Sequence, residues 1–168
     1  LSSITNTGTL GGYFEARGGG TTVPVIAPVD GGGAVGILFD GGDYLQHVGT
    51  LGGAVVPAPA GLVGVNPTCT IEAWVLNGAI DKAEVILAWG KTGGPNGVNQ
   101  AFSYGWNAAW GAMGHWGAPD LGWTSGVDGG GTYGAGVPPA GLWHHLVYTF
   151  DGSTQRVYAD GVLKNFEV

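Results

Sequence analysis

Two groups of residues in this chain are of types that do chemistry. Between Phe102 and Trp123 stand Phe102, Tyr104, Trp106, Trp110, Trp116 and Trp123, interleaved with Gly, Asn and Ser. Flat rings of this kind lie against the apolar C–H face of a pyranose, while side-chain and backbone polar groups take its hydroxyls. Residues 107–111 and the loop 114–123 suit that role, so Trp110, His115, Trp116, Asp120 and Trp123 are the candidate ligand-binding residues. Phe102, Tyr104 and Trp106 are spaced by two and read as one core-facing row of a strand. For Trp110, Trp116 and Trp123, ligand contact and loop packing both remain open.

The second group is His144, His145, Glu72 and Cys69. Adjacent residues of a strand point to opposite faces, so His144 and His145 cannot chelate one ion together. One of them is expected as a core histidine hydrogen-bonded to backbone. Glycoside hydrolysis needs two carboxylates flanking the scissile bond. Glu72 has Thr70 and Trp74 as its same-face neighbours, and it reads as a structural or hydrogen-bonded group. No Gly-x-Ser-x-Gly elbow occurs either. The expectation is a non-enzyme. Cys69, the single cysteine, cannot form an internal disulfide and reads as a small buried strand residue.

The elements that must position these groups are strands. Gly or Pro interrupts nearly every window in which a helical stripe could run. Short apolar runs recur about every ten residues, at 12–16, 23–27, 35–39, 44–48, 69–76, 84–89, 101–106, 112–116, 142–150 and 155–159. The 36 glycines cluster between these runs, where turns need positive φ. Segments 52–67 and 120–141 read as long loops. Residues 143–150 carry apolar groups on both faces, which predicts a central, covered strand. Asp151-Gly152-Ser153-Thr154 turns it into 155–159, and Asp160-Gly161 turns that into Val162-Leu163, which makes a β-meander.

Composition narrows the partners. The chain of 168 residues is 44% hydrophobic with seven tryptophans, so it is globular. Net charge is −7, but only five residues are Lys or Arg, too few for a nucleic-acid stripe or an anionic membrane surface. No apolar stretch approaches the ~20 residues that span a bilayer. The low-charge, Gly-, Thr- and Trp-rich make-up resembles that of secreted bacterial surface proteins, so an extracellular or cell-surface location is expected.

Four motifs in order carry a family resemblance: Leu38-Phe39-Asp40-Gly41-Gly42-Asp43-Tyr44-Leu45; Thr70-Ile71-Glu72-Ala73-Trp74-Val75 with Trp89-Gly90-Lys91 after it; Trp143 to Gly152; and Val157-Tyr158-Ala159-Asp160-Gly161. Together they resemble the laminin G-like jelly-roll domains of the concanavalin A-like lectin/glucanase superfamily. The resemblance spans residues 35–168 and implies one all-β domain over 1–168, a two-sheet antiparallel jelly-roll sandwich. Relatives continue with further strands, so the last strands are expected to be supplied by a missing C-terminal fragment or by self-association. Relatives also often carry a structural Ca²⁺, for which Asp40, Asp43, Asp151 and Asp160 lie in suitable turns, although Asp-Gly is also ordinary hairpin chemistry. No cofactor beyond that ion is required. Two functions follow as expectations: a carbohydrate-binding or adhesive module of a larger surface protein, or a structural subunit of a surface assembly, with a glycan or surface protein as partner.

Overall fold

The computed structural model describes residues 1–18, 23–29, 33–63, 68–79, 84–90, 100–104, 112–114, 121–124 and 136–168. They form two compact units, Leu1–Pro57 and Ala58–Val168. Among the described residues there are twelve strands and a single 3₁₀ turn, Ala60–Leu62, and no helix long and apolar enough to cross a membrane.

In the first unit, β1 (Ser3–Thr5), β2 (Tyr13–Gly18) and β5 (Asp43–Val48) make an antiparallel sheet in the order β1-β2-β5. β3 (Val25–Pro28) and β4 (Val35–Leu38) form a separate hairpin. The Leu38–Leu45 motif therefore straddles the end of β4 and the start of β5. The short β1 has no alternating pattern to announce it; it exists because its backbone pairs with β2 from Ser3 opposite Glu15 to Thr5 opposite Tyr13.

The second unit holds the sandwich. One sheet contains β6 (Cys69–Leu76), β10 (Trp143–Phe150), β11 (Gln155–Ala159) and β12 (Val162–Glu167), in the order β12-β11-β10-β6. The other is built from β7 (Val85–Trp89), β8 (Gln100–Ser103) and β9 (Ala112–Gly114), with Leu121 bridged to Met113. All these pairings are antiparallel, and the fold is an all-β jelly-roll sandwich. β10, β11 and β12 are the expected meander, joined by turns at 151–154 and 160–161.

Alternation decides what each sheet buries. On β6, Cys69, Ile71, Ala73 and Val75 point inward while Thr70, Glu72, Trp74 and Leu76 are exposed. On β10, His144, Leu146 and Tyr148 are buried and the alternate residues are not. Ile71, Leu146, Tyr148, Val157 and Ala159 thus meet Phe102, Tyr104, Ala112, Met113, Leu121 and Trp123 in one core. Phe102 links the layers, its ring 6.4 Å from that of Tyr148 and 6.2 Å from that of Trp123. Cys69 packs at the edge of this core, where burial pushes its thiol pKa up.

One expectation needs correcting. β10 is central, hydrogen-bonded to β6 and β11, yet only one of its faces is buried. Its other face carries apolar side chains without being inside. Burial of a side chain such as that of Leu146 contributes about 1.5–3 kcal/mol through removal from water, and truncation leaves a cavity as well. Leu146→Ala is expected to cost about 2–5 kcal/mol, and Trp74→Ala, at an exposed site, less than about 1 kcal/mol. Urea denaturation of both variants tests the assignment of inner and outer faces.

Candidate functional site

The outer face of the four-stranded sheet follows from register. Trp143 lies opposite Leu76, His145 opposite Trp74, Val147 opposite Glu72 and Thr149 opposite Thr70. Across the next ladder, Val147 faces Tyr158 and Thr149 faces Arg156. A bulge in β12 then brings Leu163 beside Tyr158 and Phe166 beside Arg156. The extra residue, Lys164, lets Val157 and Asn165 still pair on the inner face, where the Asn165 side chain donates to the Gly122 carbonyl at 3.0 Å.

Trp74 is the centre of this face. It is 67% exposed, and its indole stacks on His145 with ring centroids 5.1 Å apart and planes at 29°. The carboxylate of Glu72 sits 3.7 Å from His145 Nε2 and is 70% exposed. Glu72 is therefore a surface group, contrary to the structural role expected for it. An open indole face, an imidazole beneath it and an exposed carboxylate two residues along form a small amphipathic platform.

On the inner side, His144 is the expected core histidine, and its environment explains both histidines. Nδ1 lies 2.7 Å from Asp160 Oδ2 and Nε2 lies 3.0 Å from the Pro139 carbonyl. Both ring nitrogens face acceptors, so satisfying both requires an N–H on each. The Tyr104 hydroxyl donates to the same carbonyl at 2.8 Å, and Asp160 Oδ1 accepts the His145 backbone N–H at 2.9 Å. Burial pushes the Tyr104 phenol up to about 12, helped by the carboxylates of Glu84 and Asp160. The hydrogen bond from His144 and then the His145 N–H hold the Asp160 carboxyl below its usual range.

The laminin G-like model of the Concanavalin A-like lectin/glucanases superfamily matches residues 49–166. The chain belongs to that superfamily. No curated protein and no solved structure matches it. The superfamily span takes in the whole sandwich but begins after the Leu38–Leu45 motif, which the resemblance had included as an opening strand.

Of the residues expected to bind ligand, Trp110, His115, Trp116 and Asp120 lie outside the described residues. Trp123 is a core residue, 1% exposed, with its indole N–H donated to the Tyr104 carbonyl at 2.9 Å. Its Gly-rich surroundings suggested a loop ring open to ligand; packing against Phe102 turns it inward. Trp106 is likewise outside the described set, while Phe102 and Tyr104 are buried as expected. Trp74 was missed as a site residue because period-two spacing says that two faces exist and not which one meets water.

Of the four aspartates in the turns that the resemblance offered to calcium, Asp40 and Asp43 belong to the first unit and Asp151 and Asp160 to the second. Among the described residues, no group of three or more His, Cys, Asp or Glu is placed to hold a metal ion. Asp151 spends Oδ1 on the Ser153 and Thr154 backbone N–H groups and Oδ2 on Arg156 at 2.7 Å. These contacts, Arg156 first, hold its carboxyl well below the usual range. Asp160 is committed to the two histidines, at the other end of a five-residue strand that is about 17 Å long. Asp40 and Asp43 belong to the first unit, where Asp40 accepts the Gly42 N–H at 3.2 Å. Loss of water and the nearby Asp40 charge push the Asp43 carboxyl up.

Two outcomes follow. Excess EDTA is expected to leave the thermal midpoint unchanged. A group whose folded pKa is depressed stabilises the fold above the ordinary carboxylate range and loses that effect as pH falls through its folded value. Asp160 and Asp151 both have that sign, so stability should decline below about pH 4. Asp160→Ala leaves a buried imidazole N–H unsatisfied and is expected to cost about 1–3 kcal/mol at neutral pH. Urea titrations at pH 7 and pH 3.5 should find that penalty smaller in acid.

Proposed function

We propose that this chain is a non-catalytic, carbohydrate-binding module of an extracellular or cell-surface protein, and that it holds its glycan on the outer face of the β12-β11-β10-β6 sheet. The observation that carries the reading is Trp74: a large ring two-thirds exposed on a sheet face, braced by a stacked His145. Leaving such a ring in water forgoes its burial energy, and glycan C–H faces are what open indoles receive. Trp143 and Leu76, one row along, and Val147 and Tyr158, one row back, extend the apolar floor. Membership of the superfamily supports a binding role at the coarse level.

The non-catalytic part rests on chemistry. The outward rows of β6 and β10 contain Thr70, Glu72, Trp74, Leu76, Trp143, His145, Val147 and Thr149, with Glu72 as their one carboxylate. A hydrolase of either stereochemistry needs a pair. The floor binds and holds.

A second reading, packing against another chain in a surface assembly, is favoured by β12. That strand lies at the end of its sheet order and exposes Val162, Leu163 and Phe166. Edge strands with open apolar side chains pair readily with other chains. Affinity gels bearing immobilised polysaccharides separate the two. The glycan reading expects retention that Trp74→Ala reduces at least about fivefold, since stacking contacts are worth ~1 kcal/mol or more each; the assembly reading expects no retention and a sedimentation coefficient that rises with concentration.

A further inference from the structure

Charge on the outer face is uneven around the Trp74 platform. Glu72 stands two residues from Trp74 on the same strand, about 7 Å along it and on the same side. Its carboxylate is largely in water, and among the described residues the nearest cationic group, His145 Nε2, is 3.7 Å away, too far for a hydrogen bond and charged only when protonated. Arg156, the guanidinium on this face, is two strands over, about 10 Å, and is taken by Asp151 at 2.7 Å. Lys164 belongs to β12, three strands away. Over the whole chain twelve acidic groups face five basic ones. Among the described residues, the Glu72 carboxylate thus has only the His145 imidazole within ion-pair reach, and it borders an indole whose second face is open.

That pairing has a chemical preference. An indole attracts the C–H face of a pyranose and also a cation, because the ring face is negative. A carboxylate within one sugar's width adds a charge-assisted hydrogen bond to an ammonium. A neutral sugar uses the ring alone and leaves Glu72 to water. We propose that the Trp74 platform, with Glu72 as its specificity-determining residue, selects glycans that carry free protonated amino groups over their N-acetylated counterparts. This rests on the reading of the outer face as a glycan site, and it adds the class of sugar and the residue that chooses it.

Titration calorimetry on the full chain tests it, with tetrasaccharides of glucosamine and of N-acetylglucosamine at about pH 6.5, below the range of an ordinary amine. The amino form is expected to bind roughly three- to tenfold more tightly, with the advantage shrinking as salt is raised. Glu72→Gln should erase the preference and keep binding of the N-acetylated form. Trp74→Ala should weaken both. Both positions are exposed, and unchanged circular dichroism will verify that the variants fold. Equal affinity for the two sugars in the native chain, or a preference that survives in Glu72→Gln, overturns the amino-sugar proposal and leaves the glycan site standing. Binding of neither sugar, or binding that Trp74→Ala does not touch, overturns both.

Discussion

Asp160 sits where three structural demands meet. It opens the two-residue turn between β11 and β12 with φ +53°, followed by Gly161 at +77°, the left-handed pair that suits the twist of a tight hairpin. Its backbone N–H donates to the His145 carbonyl at 2.8 Å and its Oδ1 accepts the His145 N–H, so the β10–β11 ladder runs one residue past its last strand pair. Its Oδ2 receives His144, whose other nitrogen reaches Pro139, and Tyr104 of the opposite layer reaches the same carbonyl. One carboxylate thereby ties the hairpin, the central strand, the loop before it and the second sheet. The Trp143-His144-His145 and Ala159-Asp160-Gly161 segments are two halves of this one contact.

The outer face inherits its geometry from that contact. His145 is fixed in place by the Asp160 bond to its own backbone and by the burial of its neighbours His144 and Leu146. Trp74 stacks on the ring of a residue whose backbone is held in this way. Preorganisation of this kind lowers the ordering cost of binding. A ring on a loop would lack that support. Beneath this face, Phe102, Tyr148 and Trp123 pack ring against ring on the inner side of the sheet.

The aspartates show how one residue type serves different ends. An Asp at a turn can ligate an ion or satisfy nearby N–H groups, and the same oxygens seldom do both. Asp151 closes its turn with three hydrogen bonds and then holds Arg156. Asp160 holds two histidines. In each case local donors engage the carboxylate oxygens, which ties these side chains to the fold.

Much of the sandwich was legible in the sequence. β6 and β11 have the boundaries expected of them, the meander of β10 to β12 was announced by its Asp-Gly turns, and opposite faces for His144 and His145 follow from strand geometry alone. These are local properties, set by side-chain alternation and turn chemistry within a few residues. Which face of β6 and β10 meets the core was not local. Ile71 and Trp74 are both large and apolar, and only the arrival of the second sheet on one side buries the first and leaves the second in water. The same non-local choice turned Trp123 inward, exposed Glu72 and gave Asp160 to the histidines. Sequence by itself determined the strands, their turns and the class of fold; tertiary structure decided which rings are core and which are surface, because burial depends on what lies opposite and alternation does not encode that.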